Sequence, residues 1–171
     1  MSGEPLCLRG RVAAKLGDNI DTDIIYPGRY LNVTDREKTP EHLFELAYPD
    51  IRGRLKPGDF VVAGKNFGCG SSREQAAAAL KFAGAGAVIA VSFARIFFRN
   101  SINLGLPAVV SLEAAQDLEE GDDVMIDLTS GRILELDENR TFSAAPLDPR
   151  AAELLAAGGL VPYLKKKYAA A

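Results

Sequence analysis

Residues 60–112 read FVVAGKNFGCGSSREQAAAALKFAGAGAVIAVSFARIFFRNSINLGLPAVVSL. FVVAG at 60–64, AVIAVSF at 87–93 and PAVVSL at 107–112 are apolar at nearly every position. Such runs suit strands buried on both faces, as in a parallel sheet covered by helices. SSREQAAAALKFAGAG (71–86) reads as a helix built on an alanine run and stopped at Gly84 or Gly86. ARIFFRNSINLG (94–105) reads as a second helix. The strand–helix–strand–helix–strand order predicts a parallel βαβαβ core with right-handed crossovers.

Upstream, Leu6 to Ala14 predicts a strand. GDNIDTDIIYPGRY (17–30) predicts a structured loop around a short Ile24–Ile25 strand. Residues 29–39, RYLNVTDREKT, are polar without a period and predict an exposed, mobile loop. Thr39-Pro40 predicts a helix start before HLFELA (42–47), and Lys56 to Asp59 a turn. Downstream, DVMIDL, RILEL and TFSAAPL between Gly121 and Leu147 predict an antiparallel meander. Asp148-Pro149 starts a last helix that stops at Gly158-Gly159, and the tail LKKKYAAA predicts a frayed end. No internal linker divides the chain, so residues 1–171 are expected to form a single mixed α/β domain with added antiparallel strands.

Composition narrows the function. Lys and Arg number 20 against 23 Asp and Glu, a net charge of −3, which argues against a nucleic-acid partner. No stretch approaches the roughly 20 apolar residues needed to span a bilayer, so no membrane role is expected. The opening MSGEPLCLRGR lacks the pattern of a signal peptide, so the cytoplasm is expected, with Cys7 and Cys69 as reduced thiols. Two cysteines and one histidine cannot by themselves build a zinc site or an iron–sulfur cluster. No metal ligand set is therefore expected in this chain.

The chemistry concentrates in GKNFGCGSSREQ, Gly64 to Gln75. Ser71 and Glu74 fit a capping box, which would leave the amides of Ser71, Ser72 and Arg73 free at a helix N-terminus. Glycines there allow close approach of a ligand, and Arg73 offers a planar fork for a carboxylate or phosphate. An ordinary N-cap with a surface arginine is the bland alternative. The segment is neither a Walker loop nor GxGxxG, since Arg73 stands at the third glycine position. A serine among N–H donors and a guanidinium suits proton abstraction beside a carboxylate. A stand-alone anion-binding module would use the same loop without chemistry.

GKNFGCGSSRE with AVIAVSFARIFFRNSINLGLP closely resembles the small subunits of 3-isopropylmalate dehydratases, in the aconitase family, where the segment forms the swivel domain. GDNIDTDIIYPGRYL and AAGGLVPYL look like the same family. The resemblance implies an aconitase swivel-type β/β/α fold and half of a two-subunit hydro-lyase. That enzyme isomerises 2-isopropylmalate to 3-isopropylmalate, in leucine biosynthesis, by removing water and adding it back the other way round. It also implies a [4Fe–4S] cluster held by three cysteines of a large subunit, in a heterodimer or heterotetramer, acting as Lewis acid on the departing hydroxyl.

By the same resemblance Ser71 is the catalytic base, while Ser72, through its N–H, and Arg73 bind substrate carboxylate. Gln75 stands where many isopropylmalate enzymes have His, a position that points along the helix. The substrate-selecting loop falls just after GRYL, at Asn32 and Val33. Relatives that take a tricarboxylic substrate, such as homoaconitase, often carry arginine there. An apolar Val33 favours an isopropyl group, because a buried carboxylate without a partner is costly. Arg36 complicates that reading, and homoaconitase, 2,3-dimethylmalate dehydratase or another hydroxy-acid dehydratase remain alternatives. Asp21, Thr22 and Asp23 are candidates for orienting active-site groups of the large subunit, with turn hydrogen bonds as the plain reading. Cys69 fits a small packing residue better than a nucleophile. Arg95 and Arg99, four apart, would share a face toward the partner or solvent. His42 fits a surface position.

Overall fold

Val12 of β1 (Cys7–Lys15) lies beside Phe60 of β2 (Phe60–Ala63), and Phe60 lies beside Ala87 of β3 (Ala87–Ala90). This parallel register, continued by β4 (Ala108–Val110), is the centre of a computed structural model that describes residues 6–169. The sheet has seven strands in the order β4-β3-β2-β1-β5-β6-β7. The last three, β5 (Asp123–Asp127), β6 (Arg132–Glu135) and β7 (Arg140–Ser143), are antiparallel to their neighbours. The sheet curls until its edges meet. The Ala145 N–H donates to the Val110 carbonyl at 2.9 Å, and the Ser111 hydroxyl donates to the Ser143 carbonyl at 2.8 Å.

Alternation along each parallel strand divides the interior into two cores. Ala14, Val61, Ala63, Val88 and Ala90 face one side, where α3 (Glu74–Phe82) lays Ala76, Ala77, Ala79 and Leu80 against them. Val12, Phe60, Val62, Ala87 and Ile89 face the inside of the curl, with Ile126, Ile133, Phe142 and α6 (Pro149–Ala157). Strands β2 and β3 are buried at every position, which is why their sequence reads as unbroken apolar runs. Each fully buried Val, Ile or Phe contributes about 1.5–3 kcal/mol. The short alanines of α3 let that helix sit close over the sheet, beside α4 (Arg95–Leu104).

Several local expectations are corrected. Ile24 and Ile25 lie in a helical turn, α1 (Thr22–Ile25), not a strand, because the Asp21 carboxylate caps the Ile24 N–H at 2.8 Å. Thr39-Pro40 does not start an α-helix. It lies inside a 3-10 segment, Arg36–His42, that Asp35 caps through the Glu37 N–H. HLFELA forms turns, since Phe44 takes a left-handed φ of 54° and its N–H docks on the Ile25 carbonyl. Short helices α2 (Ile51–Arg54) and α5 (Leu112–Asp117) add to the predicted set. The tail belongs to a helix, α7 (Leu160–Ala169), instead of a frayed end, and Ala170 and Ala171 lie outside the described residues. Residues 1–5, part of the opening read against a signal peptide, also lie outside them.

Candidate active site

All four parallel strands point their C-terminal ends to one rim, where the loops after β1 and β2 extend the ladder beyond the sheet. The Asn19 N–H donates to the Lys65 carbonyl, the Gly68 N–H to Ile20 and the Thr22 N–H to Cys69, at 2.8–2.9 Å. On its other side the loop is stitched to the end of β3: the Phe67 N–H donates to Ser92 at 3.0 Å and the Ala94 N–H to Phe67 at 2.9 Å. Gly68 has φ 77° and sits flat on the Phe97 ring, so that a Cβ there would fall 2.2 Å from ring Cγ. Only glycine permits both the conformation and the approach. The glycines of GKNFGCG thus shape a loop pinned on both flanks, which then delivers 71–73 to the rim.

The capping box does not form. Arg73, extended at φ −95° and ψ 116°, is the N-cap of α3, and its own N–H is taken by the Ser71 carbonyl at 2.8 Å. Ser71 therefore stands outside the helix. Glu74 turns away to accept from Arg36 at 2.5 Å. Among the described residues, the Ser71 and Ser72 amides meet no protein acceptor, so two of the three predicted donors stay available. Both serines are exposed. The buried Thr22 hydroxyl lies 3.1 Å from the Ser71 carbonyl oxygen and 3.5 Å from the Ser71 hydroxyl.

Arg73 is fixed by Asp23, a support candidate in the sequence whose pairing with Arg73 was not foreseen. Its Nη1 donates to Asp23 Oδ1, which also accepts the Gly28 N–H at 2.9 Å. The Arg73 hydrogen bond holds the Asp23 carboxyl below its ordinary range. A Cβ on Gly28 would press at 3.0 Å on both partners, so glycine makes room for the pair.

The other expected residues divide. Thr22 meets Ser71 and Arg73 pairs with Asp23, the residue after Thr22, while Asp21 caps α1 and Cys69 contributes its backbone carbonyl to Thr22. Val33 lines a pocket of about 220 Å³ against Arg36, Glu74 and Gln75, at the first turn of α3. Asn32 is exposed and lies outside that lining. Arg95 and Arg99 are exposed on α4. His42 is more than a surface residue: its ring stacks on Tyr30 with centroids 3.5 Å apart. The thiols of Cys7 and Cys69 belong to opposite ends of the β1–β2 pair, at the start of β1 and beyond the end of β2. No group of three or more His, Cys, Asp or Glu side chains suited to a metal ion occurs among the described residues, nor any helix long and apolar enough to cross a membrane.

Comparison with known proteins agrees with this architecture. The family model described as the aconitase C-terminal domain matches residues 8–114. The 3-isopropylmalate dehydratase small subunit of Moorella thermoacetica is 53% identical over 88% of this chain and 91% of its own. A methanogen homoaconitase small subunit from Methanothermobacter thermautotrophicus is 48% identical over 93% of this chain and 91% of its own. The crystal structure of a 3-isopropylmalate dehydratase from Methanocaldococcus jannaschii superposes with a TM-score of 0.87 at 44% identity, covering 95% of this chain and 96% of that one. With a family match over most of the sheet and close relatives along nearly its whole length, the chain belongs to the aconitase family of hydro-lyases and carries that family's C-terminal, or swivel, domain.

Proposed function

We propose that this chain is the small subunit of a two-subunit hydro-lyase that interconverts 2-isopropylmalate and 3-isopropylmalate by dehydration and rehydration. The observation that carries the proposal is an exposed Ser71 hydroxyl beside the buried Thr22 hydroxyl, with the Arg73 guanidinium fixed by Asp23, the residue after Thr22. Relatives named for this reaction, at about half identity, support the assignment. Ser71, as its alkoxide, takes the proton from the carbon next to a carboxylate and becomes the neutral hydroxyl, while the neighbouring carbon loses its hydroxyl. Before that transfer the Thr22 hydroxyl stabilises the alkoxide, turning from the Ser71 carbonyl to Ser71 Oγ while the charge is there. The Ser72 amide and Arg73 hold the carboxylate, and Asp23 keeps the guanidinium fork in one orientation. Returning the proton and water in the opposite sense completes the isomerisation.

The aconitase family implies a [4Fe–4S] cluster in the complex, and the name small subunit implies a large one. We place the cluster on that large subunit, because two thiols at opposite ends of a strand pair do not make a cluster's set of thiolates. Cytoplasmic residence follows from the same reading. The homoaconitase relative keeps a tricarboxylic substrate as the second reading. Mixing this chain with a cluster-loaded large subunit should give isomerase activity, and Ser71→Ala should remove most of it. Full turnover by Ser71→Ala would overturn the base assignment. Tight carboxylate binding by the isolated chain with no gain from any large subunit would favour a stand-alone anion-binding module.

A further inference from the structure

Glu45 gathers Arg29 and Tyr30, from the segment that carries Asn32 and Val33, together with His42. Its Oε1 accepts from Arg29 and, at 3.0 Å, from the Tyr30 hydroxyl, while Oε2 lies 2.9 Å from His42 Nδ1. Tyr30 has two further ring contacts. The His42 ring stacks on it at 9° between planes, and the Arg29 guanidinium lies 4.9 Å from its centroid. The hydroxyl of fully buried Tyr26 donates to the Tyr30 carbonyl at 3.0 Å, tying this layer to the core. Glu45 reaches its place through a backbone that opposes it. Phe44, fully buried, holds the left-handed φ of 54° that a bulky residue avoids. Such a conformation is costly and persists only where its surroundings over-determine it. Here the return is the Phe44 N–H docked on Ile25 and the next side chain aimed at Arg29, Tyr30 and His42.

The geometry points to Glu45 as a positioning residue for substrate selection: a carboxylate hub that fixes the 29–36 segment and so sets where Leu31 to Val33 stand against the start of α3. This rests on the reading of that segment as the substrate-selecting loop. Three facts give the hub its reach. The Val33 N–H closes a turn on the Tyr30 carbonyl at 2.9 Å, so orienting Tyr30 orients Val33. Buried Thr39 donates to the Arg36 carbonyl at 2.6 Å and anchors the far end. The pocket lined by Leu31, Val33 and Glu74 lies between those anchors. Glu45 touches no reacting atom. It acts through Tyr30.

Two measurements on Glu45→Ala, with Glu45→Gln as the conservative partner, test the role. Amide hydrogen exchange of the full chain should rise about tenfold or more across residues 29–36 in Glu45→Ala, with the β2 and β3 amides unchanged, and Glu45→Gln should lie between. In the reconstituted complex, KM for the hydroxy-acid should rise about five- to tenfold while kcat stays within about twofold, with partial rescue in Glu45→Gln. Loop exchange equal to wild type in Glu45→Ala overturns the hub, as does a fall in kcat at unchanged KM. Should Glu45→Ala fail to fold, Tyr30→Phe removes the phenol donor alone and should loosen the same amides. Unchanged exchange there overturns the hub. An inactive wild-type complex would sink the small-subunit reading, and the exchange measurement would still decide the hub.

Discussion

The hydroxyl of Thr22 lies 3.1 Å from the carbonyl oxygen of Ser71 and 3.5 Å from its hydroxyl, so one buried donor serves two acceptors on the same residue. In the resting chain the proton goes to the carbonyl, the shorter contact. A negative charge on Ser71 Oγ would draw it across. Thr22→Val keeps the shape and the burial and removes the donor. It should lower kcat in the reconstituted enzyme about tenfold, near the strength of a hydrogen bond to a charged group, with KM little changed. Thr22→Ser should restore most of the rate. Equal kcat in wild type and Thr22→Val would show that Ser71 needs no help from Thr22.

Arg73 and Asp23 form a pair with an unequal environment: the arginine side chain is 19% exposed and the aspartate 58%. The Arg73 hydrogen bond holds the Asp23 carboxyl below the ordinary aspartate range. A depressed carboxyl stabilises the fold above its unfolded pKa and loses that contribution as pH falls through the folded value. The thermal midpoint of wild type should therefore exceed that of Asp23→Asn by a constant margin above about pH 5, with the margin closing toward about pH 3. The margin should be small, because an exposed partner is screened by water. In the assembled enzyme the same variant should raise KM for a carboxylate substrate, since the guanidinium loses the partner that orients it. A margin that widens as the pH falls would contradict the depressed pKa.

Gly68→Ala should be the most damaging single change in the site loop. The added Cβ meets the Phe97 ring at 2.2 Å, and φ 77° is strained for any side chain. Phe97 is itself locked against Phe67, with ring centroids 5.2 Å apart, and has little room to retreat. Overpacking and left-handed strain each cost about 1–3 kcal/mol. Urea denaturation should show a fall in stability of about 2–5 kcal/mol, close to losing the fold for a domain of ordinary stability. Gly17→Ala is the control, because nothing lies within 4 Å of a Cβ there.

What could be read in advance follows the range of the interactions. The parallel strands were legible because β2 and β3 bury both faces, so every residue from Phe60 to Ala63 and from Ala87 to Ala90 had to be apolar. Ser71 and Arg73 stood out as candidates because a glycine-rich stretch at a strand-to-helix junction suits an anion site, whereas Thr22 stood only among the DTD residues with turn hydrogen bonds as the plain reading. The Ser71–Glu74 capping box was misread because its spacing is local while the choice is not. Arg36, 38 residues upstream, claims Glu74. Asp23 as the partner of Arg73 was hidden for the same reason, with 50 residues between them. HLFELA has helical composition, yet the docking of Phe44 on Ile25 overrides that propensity. The closure of the sheet, where Ala145 meets Val110, leaves no local mark at all.

Substrate preference should turn on the charge held near Val33. Arg36 is the cation nearest that residue in sequence, and Glu74 neutralises it at 2.5 Å across a pocket that Val33 and Ala78 also line. A substrate with a third carboxylate would find there no unpaired cation and one competing carboxylate. Asn32→Arg supplies a new guanidinium, and Glu74→Gln releases Arg36. Each should raise the ratio of kcat/KM for a tricarboxylic hydroxy-acid over 2-isopropylmalate by about tenfold or more, mainly through KM, since an unpaired buried charge is what the wild-type pocket would impose. The double variant should exceed either single one. Competition between the two substrates in one reaction gives the ratio directly. A ratio unmoved by both changes would remove the 32–36 segment from substrate selection and leave Ser72 and Arg73 as the recognition this chain supplies.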